Sequence, residues 1–75
     1  MDWRDHITVD RSICHGQVCA QGTRITAFVI LDNLAAGIST TDLLVSYPGL
    51  TETGVRAMLA YAADLATERV LALPA

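Results

Sequence analysis

The sequence predicts a mostly α fold, a three-helix bundle of helix-turn-helix type preceded by a short N-terminal β-ribbon. Three observations predict it. From Thr26 onward, apolar residues recur at helical spacing in three separate segments. Those segments open on Thr26, Ser39 and Thr51, side chains that cap helix N-termini. Before Thr26 the chain is polar, and short alternations of apolar and polar residues replace the helical pattern.

In the N-terminal arm (residues 1–25), Ile7-Thr8-Val9 alternates as a half-buried strand does, and Val18 to Ile25 is a second extended segment interrupted by Gly22. A two-stranded ribbon is marginal alone, so it needs a helix or a second chain to lie against. The tri-helical unit (residues 26–75) follows. In its first helix Ala27, Ile30, Leu31, Leu34 and Ala35 form the core stripe. Gly37 ends that helix in the left-handed conformation that a Cβ opposes. Val29 and Ala36 point the other way and Phe28 sits at the edge. Ser39-Thr40-Thr41-Asp42 opens the second helix as a capping box with Asp in the usual Glu position. Leu43, Leu44 and Tyr47 pack inward, and Pro48 stops the helix by pushing its predecessor out of the α region. The third helix runs from Glu52 to Leu71, with Val55, Met58, Leu59, Ala62, Ala66 and Val70 as its core stripe. One domain accounts for the whole chain. Its predicted core is Ile30, Leu31, Leu34, Leu43, Leu44, Val55, Leu59, Ala62 and Ala66.

Composition bounds the function. Apolar residues make up 52% of the 75 and charged residues 17%, which excludes intrinsic disorder. A domain of this size hides only about 60–65% of the surface its unfolded chain exposes, so part of the apolar set must face outward or meet another chain. The periodicity assigns that surplus to Ile7, Val9, Phe28, Val29, Ala36, Tyr61, Leu65 and the run Val70 to Leu73, Leu71 included. Five Arg without Lys against eight acidic residues give a net charge of −3, the opposite of the basic stripe that marks most nucleic-acid binders. No apolar stretch is long enough to span a membrane. The polar start, Met1 to His6, does not read as a signal peptide. The expected compartment is the cytoplasm, with Cys14 and Cys19 as reduced thiols.

The candidate sites divide by chemistry. Cys14, His15 and Cys19 supply three ligands at most, with His6 the one further donor in reach. A structural zinc site needs four, so the expectation is no metal and small buried thiols. Gly22-Thr23-Arg24 has one glycine where a phosphate-cradling loop has several. It reads as a structural motif, with Gly22 in a conformation closed to other residues, Thr23 and Arg24 anchoring the ribbon on the first helix, and Arg24 reaching Asp10 or Asp32. Thr51, Thr53 and Arg56 open the third helix, where a helix-turn-helix protein meets DNA. Glu52 sets a negative charge at the same end. No nucleophile–base–acid set is present, so the expectation is a non-enzyme without cofactors.

Specific residues carry a resemblance. Ile13-Cys-His-Gly16 precedes Gly22-Thr-Arg-Ile25. Leu31-Asp-Asn-Leu-Ala-Ala-Gly37, Tyr47-Pro-Gly-Leu-Thr51, Val55-Arg-Ala57 and Ala60-Tyr-Ala-Ala63 follow. From Trp3 to Glu68 the chain resembles the small bacterial family catalogued as domain-of-unknown-function family 433, also described as VapB-type antitoxin-like. The resemblance implies a homeodomain-like three-helix unit with a short β element, paired as a homodimer. It also implies an antitoxin that binds and inhibits a PIN-like ribonuclease toxin, with weak operator DNA binding through the helix-turn-helix. The chain departs from the family pattern at Gln17-Val18, where a basic residue and proline are usual, at Thr26 and at Gly54. Two other functions stay open beside the antitoxin: a stand-alone DNA-binding regulator, and a structural or adaptor dimer.

Overall fold

The computed structural model describes residues 2–68. Its order is a 3-10 turn (Trp3–His6), strands β1 (Ile7–Asp10) and β2 (Ile13–Ala20), and helices α1 (Ala27–Ala35), α2 (Thr40–Ser46) and α3 (Glu52–Glu68). The chain is thus a small helical bundle preceded by a β-ribbon. The predicted third helix reaches at least Glu68; its forecast end at Leu71, and the partner contact assigned there, lie outside the described residues.

The two strands pair antiparallel around the two-residue turn Arg11-Ser12, which Asp10 builds by accepting from the Ser12 amide at 2.8 Å and hydroxyl at 2.7 Å. These two bonds hold the Asp10 carboxyl below its ordinary pKa. They support the turn at neutral pH, and that support is lost as pH falls through the lowered value. The register then jumps. Asp10 pairs with Ile13, but Val9 pairs with Val18, so residues 14–17 leave the ladder as a wide bulge with Gly16 at φ 79°. Ile7 faces Ala20 and Val9 faces Val18, so all four share one side of the ribbon. The second strand therefore starts five residues earlier than the Val18–Ile25 expected from sequence and ends at Ala20. Gly22, at φ 77°, turns the chain so that Cys19 pairs with Thr26 on the far side of β2.

The helix boundaries follow from their caps. Thr26 accepts from the Val29 amide at 3.2 Å, Ser39 from Asp42 at 3.1 Å and Thr51 from Gly54 at 3.0 Å. α1 closes on the paired bonds Gly37 N–H to Leu34 O and Ile38 N–H to Asn33 O, with Gly37 at φ 91°. Across the α2–α3 turn the Leu50 amide donates to Tyr47 O at 2.9 Å. Gly54 is where backbone and side chains crowd: a Cβ there would meet Thr51 Oγ1 at 3.3 Å and Leu50 Cδ1 at 3.4 Å.

The core gathers Ala20 from β2, Ala27 and Ile30 from α1, Leu43, Leu50, and Val55 and Met58 from α3. Ile30, Leu43 and Val55 match the predicted core, and Leu31, Leu34 and Leu44 pack against it half-buried. The buried face of α3 is rotated from the predicted stripe. Ala57 is fully buried, whereas Leu59 is 47% exposed and Ala66 is exposed. The reason is the N-terminal turn, which packs on α3 at Tyr61 and draws that arc of the helix inward. Ile7 and Tyr61, expected to wait for a second chain, also pack half-buried on the chain's own core, and Val29 is half-buried.

Truncating Ile30 to Ala, a fully buried side chain, is expected to lower stability by about 2–5 kcal/mol. Val45→Ala, at a residue 76% exposed, should change it by less than about 0.5 kcal/mol. Urea unfolding followed by circular dichroism reads both.

Candidate functional site

Three surface features hold residues that the sequence singles out. The first is a cleft of about 350 Å³ lined by Thr8, Gly22, Thr23 and Arg24. Thr23 is consumed locally. Its hydroxyl donates to Ala20 O at 2.8 Å and accepts from the Ile25 amide at 3.0 Å, while its own amide also reaches Ala20 O. These bonds build the turn that carries β2 into α1. Arg24 is exposed at its rim. Gly22 turns the chain at positive φ and Thr23 ties the turn together.

The second feature is the start of α3. Thr51, Thr53 and Arg56 are all exposed there. Thr51 spends its hydroxyl on the helix cap. Arg56 donates to Glu52 at 2.9 Å, one helical turn away. A groove of about 310 Å³ between α2 and α3 runs past this pair to Leu44, Val55 and Leu59. An exposed pair of this kind contributes little to stability, but it sets a carboxylate on the cation that would meet a phosphate.

The third feature is apolar. A groove of about 450 Å³ lies between the bulge of β2 and the start of α1, lined by Gly16, Gln17, Val18, Thr26, Ala27, Phe28 and Tyr61. Its geometry follows from the chain. Thr26 caps α1 and Ala27 turns into the core, so Phe28, the next residue, must point away from it; Phe28 is 71% exposed. Val18 stands on the core-facing side of the ribbon, across from Val9, which is itself 64% exposed. Tyr61 forms the far wall and is fixed from behind. Trp3 meets it edge-on, with ring centroids 5.3 Å apart, and donates its indole N–H to Asp64, while Arg4 lies 4.4 Å above the Trp3 ring. Leu65, one turn beyond Tyr61 on α3, is exposed too. Of the predicted partner contacts, the structure therefore leaves Val9, Phe28 and Leu65 exposed and puts Phe28 and Tyr61 on one groove. The sequence reading missed Gly16, Gln17 and Val18 as groove residues; the isolated glycine between Ile13 and Val18 was the signal for a bulge there.

Cys19 corrects one expectation. It is fully buried but is disulfide-bonded rather than a reduced thiol. Among the described residues no group of three or more His, Cys, Asp or Glu is placed to hold a metal, and no helix is long and apolar enough to cross a membrane.

Comparison with known proteins adds the family. A family model described as "Protein of unknown function (DUF433)" matches residues 7–62. Among solved structures, the chain is similar to a crystal structure of a DUF433 member protein from Anabaena variabilis ATCC 29413, determined at 2.00 Å. The two share 26% identity with a TM-score of 0.76. The match covers 87% of this chain and 64% of the other, so this chain spans about two thirds of the length of that protein. No curated protein matches the sequence.

Phe28→Ser is expected to shift the unfolding free energy by less than about 1 kcal/mol, because the ring is largely solvated in the isolated chain. Thermal unfolding of the dilute protein reads this, and a loss several-fold larger means that Phe28 is covered in solution.

Proposed function

The chain belongs to the DUF433 family, and from that premise we propose that it is the antitoxin of a type II toxin–antitoxin pair. In this reading it is a non-enzymatic, cytoplasmic protein-binding domain. It forms a homodimer, and the apolar groove at Phe28 takes an apolar segment of a PIN-like ribonuclease toxin, closing off the toxin's acidic metal site.

The observation that carries the proposal is the exposure of Phe28 beside Val18 and Tyr61. Desolvating an aromatic ring of this kind contributes about 1.5–3 kcal/mol, which makes it the natural anchor of an interface. The family resemblance supplies the kind of partner. The −3 net charge supports a protein partner over nucleic acid.

A second reading, operator DNA binding through α2 and α3, draws on the exposed Thr51, Thr53 and Arg56. Glu52 competes with a phosphate for the Arg56 guanidinium and makes that binding weak.

Co-expression with the product of the neighbouring open reading frame tests the first reading. A stable complex and relief of growth arrest are expected. Phe28→Glu should weaken the complex about 30-fold or more while leaving the circular dichroism spectrum unchanged. Absence of both the complex and the relief overturns the antitoxin reading. A retarded operator band at low salt that Arg56→Ala abolishes would favour the second.

A further inference from the structure

Among the described residues, the ribbon leaves the outer edge of β1 open. Thr8 pairs with Cys19, and the Gln21 amide donates to His6 O at 2.9 Å, whereas Ala20 turns its amide the other way, to Ile25 O. Bonded and non-bonded pairs alternate along an antiparallel ladder, so Thr8 directs its N–H and C=O at β2 while Ile7 and Val9 direct theirs outward. β2 is the one strand beside β1 among the described residues. An edge of this kind is a template for another strand, and proteins blunt it with Lys, Pro or a covering segment. β1 reads Ile-Thr-Val-Asp, with neither Lys nor Pro, and Val9 is 64% exposed.

We propose that β1 pairs antiparallel with β1 of a second copy across a twofold axis at Thr8, joining the two ribbons into one sheet. The occupant follows from self-complementarity. Around Thr8 the sequence reads Asp5-His6-Ile7-Thr8-Val9-Asp10-Arg11. Laid antiparallel on itself about Thr8, it sets Ile7 against Val9 of the second copy, His6 against Asp10 and Arg11 against Asp5. Each match occurs once on either side of the axis. Ile7 and Val9 are the residues with outward N–H and C=O, so this register makes both of them hydrogen-bonded and leaves Thr8 opposite itself. Moving the axis to Ile7 or to Val9 keeps backbone bonding but sets Val9 against Asp5 or Ile7 against Arg11. Charge and apolar matching therefore select Thr8.

The side chains agree with this register. Ile7 and Val9 stand on the same face as Ala20 and Val18, and Ile7 packs on the core. Pairing lays Val9 of each copy against Ile7 of the other, which covers Val9 and carries the apolar face across the axis. Asp5 and Arg11 are exposed. Both Ser12 bonds to Asp10 land on Oδ1, which leaves Oδ2 to accept from the ring of His6 in the second copy. No β1 residue lines the Phe28 groove, so the pairing leaves it open. This inference rests on the homodimer of the functional reading above, to which it gives a face, and on no other part of that reading.

The test uses the full chain without a toxin, so a failure to bind toxin does not touch it. Sedimentation should show a monomer–dimer equilibrium. In the concentrated protein the amides of Ile7, Thr8 and Val9 should all resist hydrogen exchange; on dilution Ile7 and Val9 should lose protection while Thr8 keeps it. Val9→Pro removes an outward N–H that the ribbon itself does not use, and should weaken dimerisation about tenfold or more with the circular dichroism spectrum unchanged. Arg11→Glu should weaken it too, and adding Asp5→Arg should restore it. Phe28→Glu should leave the dimer intact. Each of five results overturns the proposal: a monomer in concentrated solution, Ile7 and Val9 amides that exchange alike at both concentrations, a folded Val9→Pro chain that dimerises like the unaltered one, a charge reversal that the second does not rescue, or a dimer that Phe28→Glu dissociates. If Val9→Pro unfolds the chain, the exchange of Ile7 and Val9 in the unaltered protein decides.

Discussion

Cys19 is held from both sides. Across β1 it pairs with Thr8, across the Gly22 turn it pairs with Thr26, and the next residue, Ala20, donates its amide to Ile25 O at 3.0 Å. This junction converts a two-stranded ribbon, too small to be stable alone, into part of the bundle. It places Ala20 and Ala27 in the core. It also fixes where α1 begins, because Thr26 serves as the end of the bridge and as the helix cap. Since the cap sets the phase of α1, the same junction decides that Ala27 and Ile30 go inward and Phe28 goes outward. The groove is a consequence of that phase together with the bulge on the other side of Cys19.

The surface chemistry divides accordingly. At the start of α3 the polar groups are mutually satisfied, with Thr51 on the Gly54 amide and Glu52 on Arg56. Around the groove the apolar groups are not. Phe28 and Val9 remain largely in water, while Tyr61 is braced by Trp3, whose indole N–H Asp64 accepts. An aromatic-walled trough flanked by exposed apolar side chains suits a protein segment better than a phosphate backbone.

Much of this was legible in the residues. Thr26, Ser39 and Thr51 announced three helix starts, and Gly22 and Gly37 announced positive φ, because those features depend on local chemistry. Phe28 was legible as an edge residue from the helical period. Other features depend on tertiary packing. The stripe on α3 could be drawn through Leu59 or through Ala57, and only the docking of Trp3 on Tyr61 selects the second. Ile7 reads as partner surface in the sequence, because its cross-strand neighbour, Ala20, is assigned only by the register. The early start of β2 was hidden by the bulge, whose polar and glycine residues break the alternation that marks a strand. A disulfide between Cys14 and Cys19 is within reach of their spacing in the sequence, and the expectation of reduced thiols rests on the compartment alone.

In the proposed function, the groove at the Cys19–Thr26 junction is the partner-binding face. Hydrogen exchange of this chain, alone and in complex with its co-expressed partner, tests it most directly. Protection is expected to concentrate in peptides covering residues 16–18 and 26–28, with the start of α3 unchanged. Protection confined to residues 51–59, with the groove peptides exchanging as in the isolated chain, would contradict it.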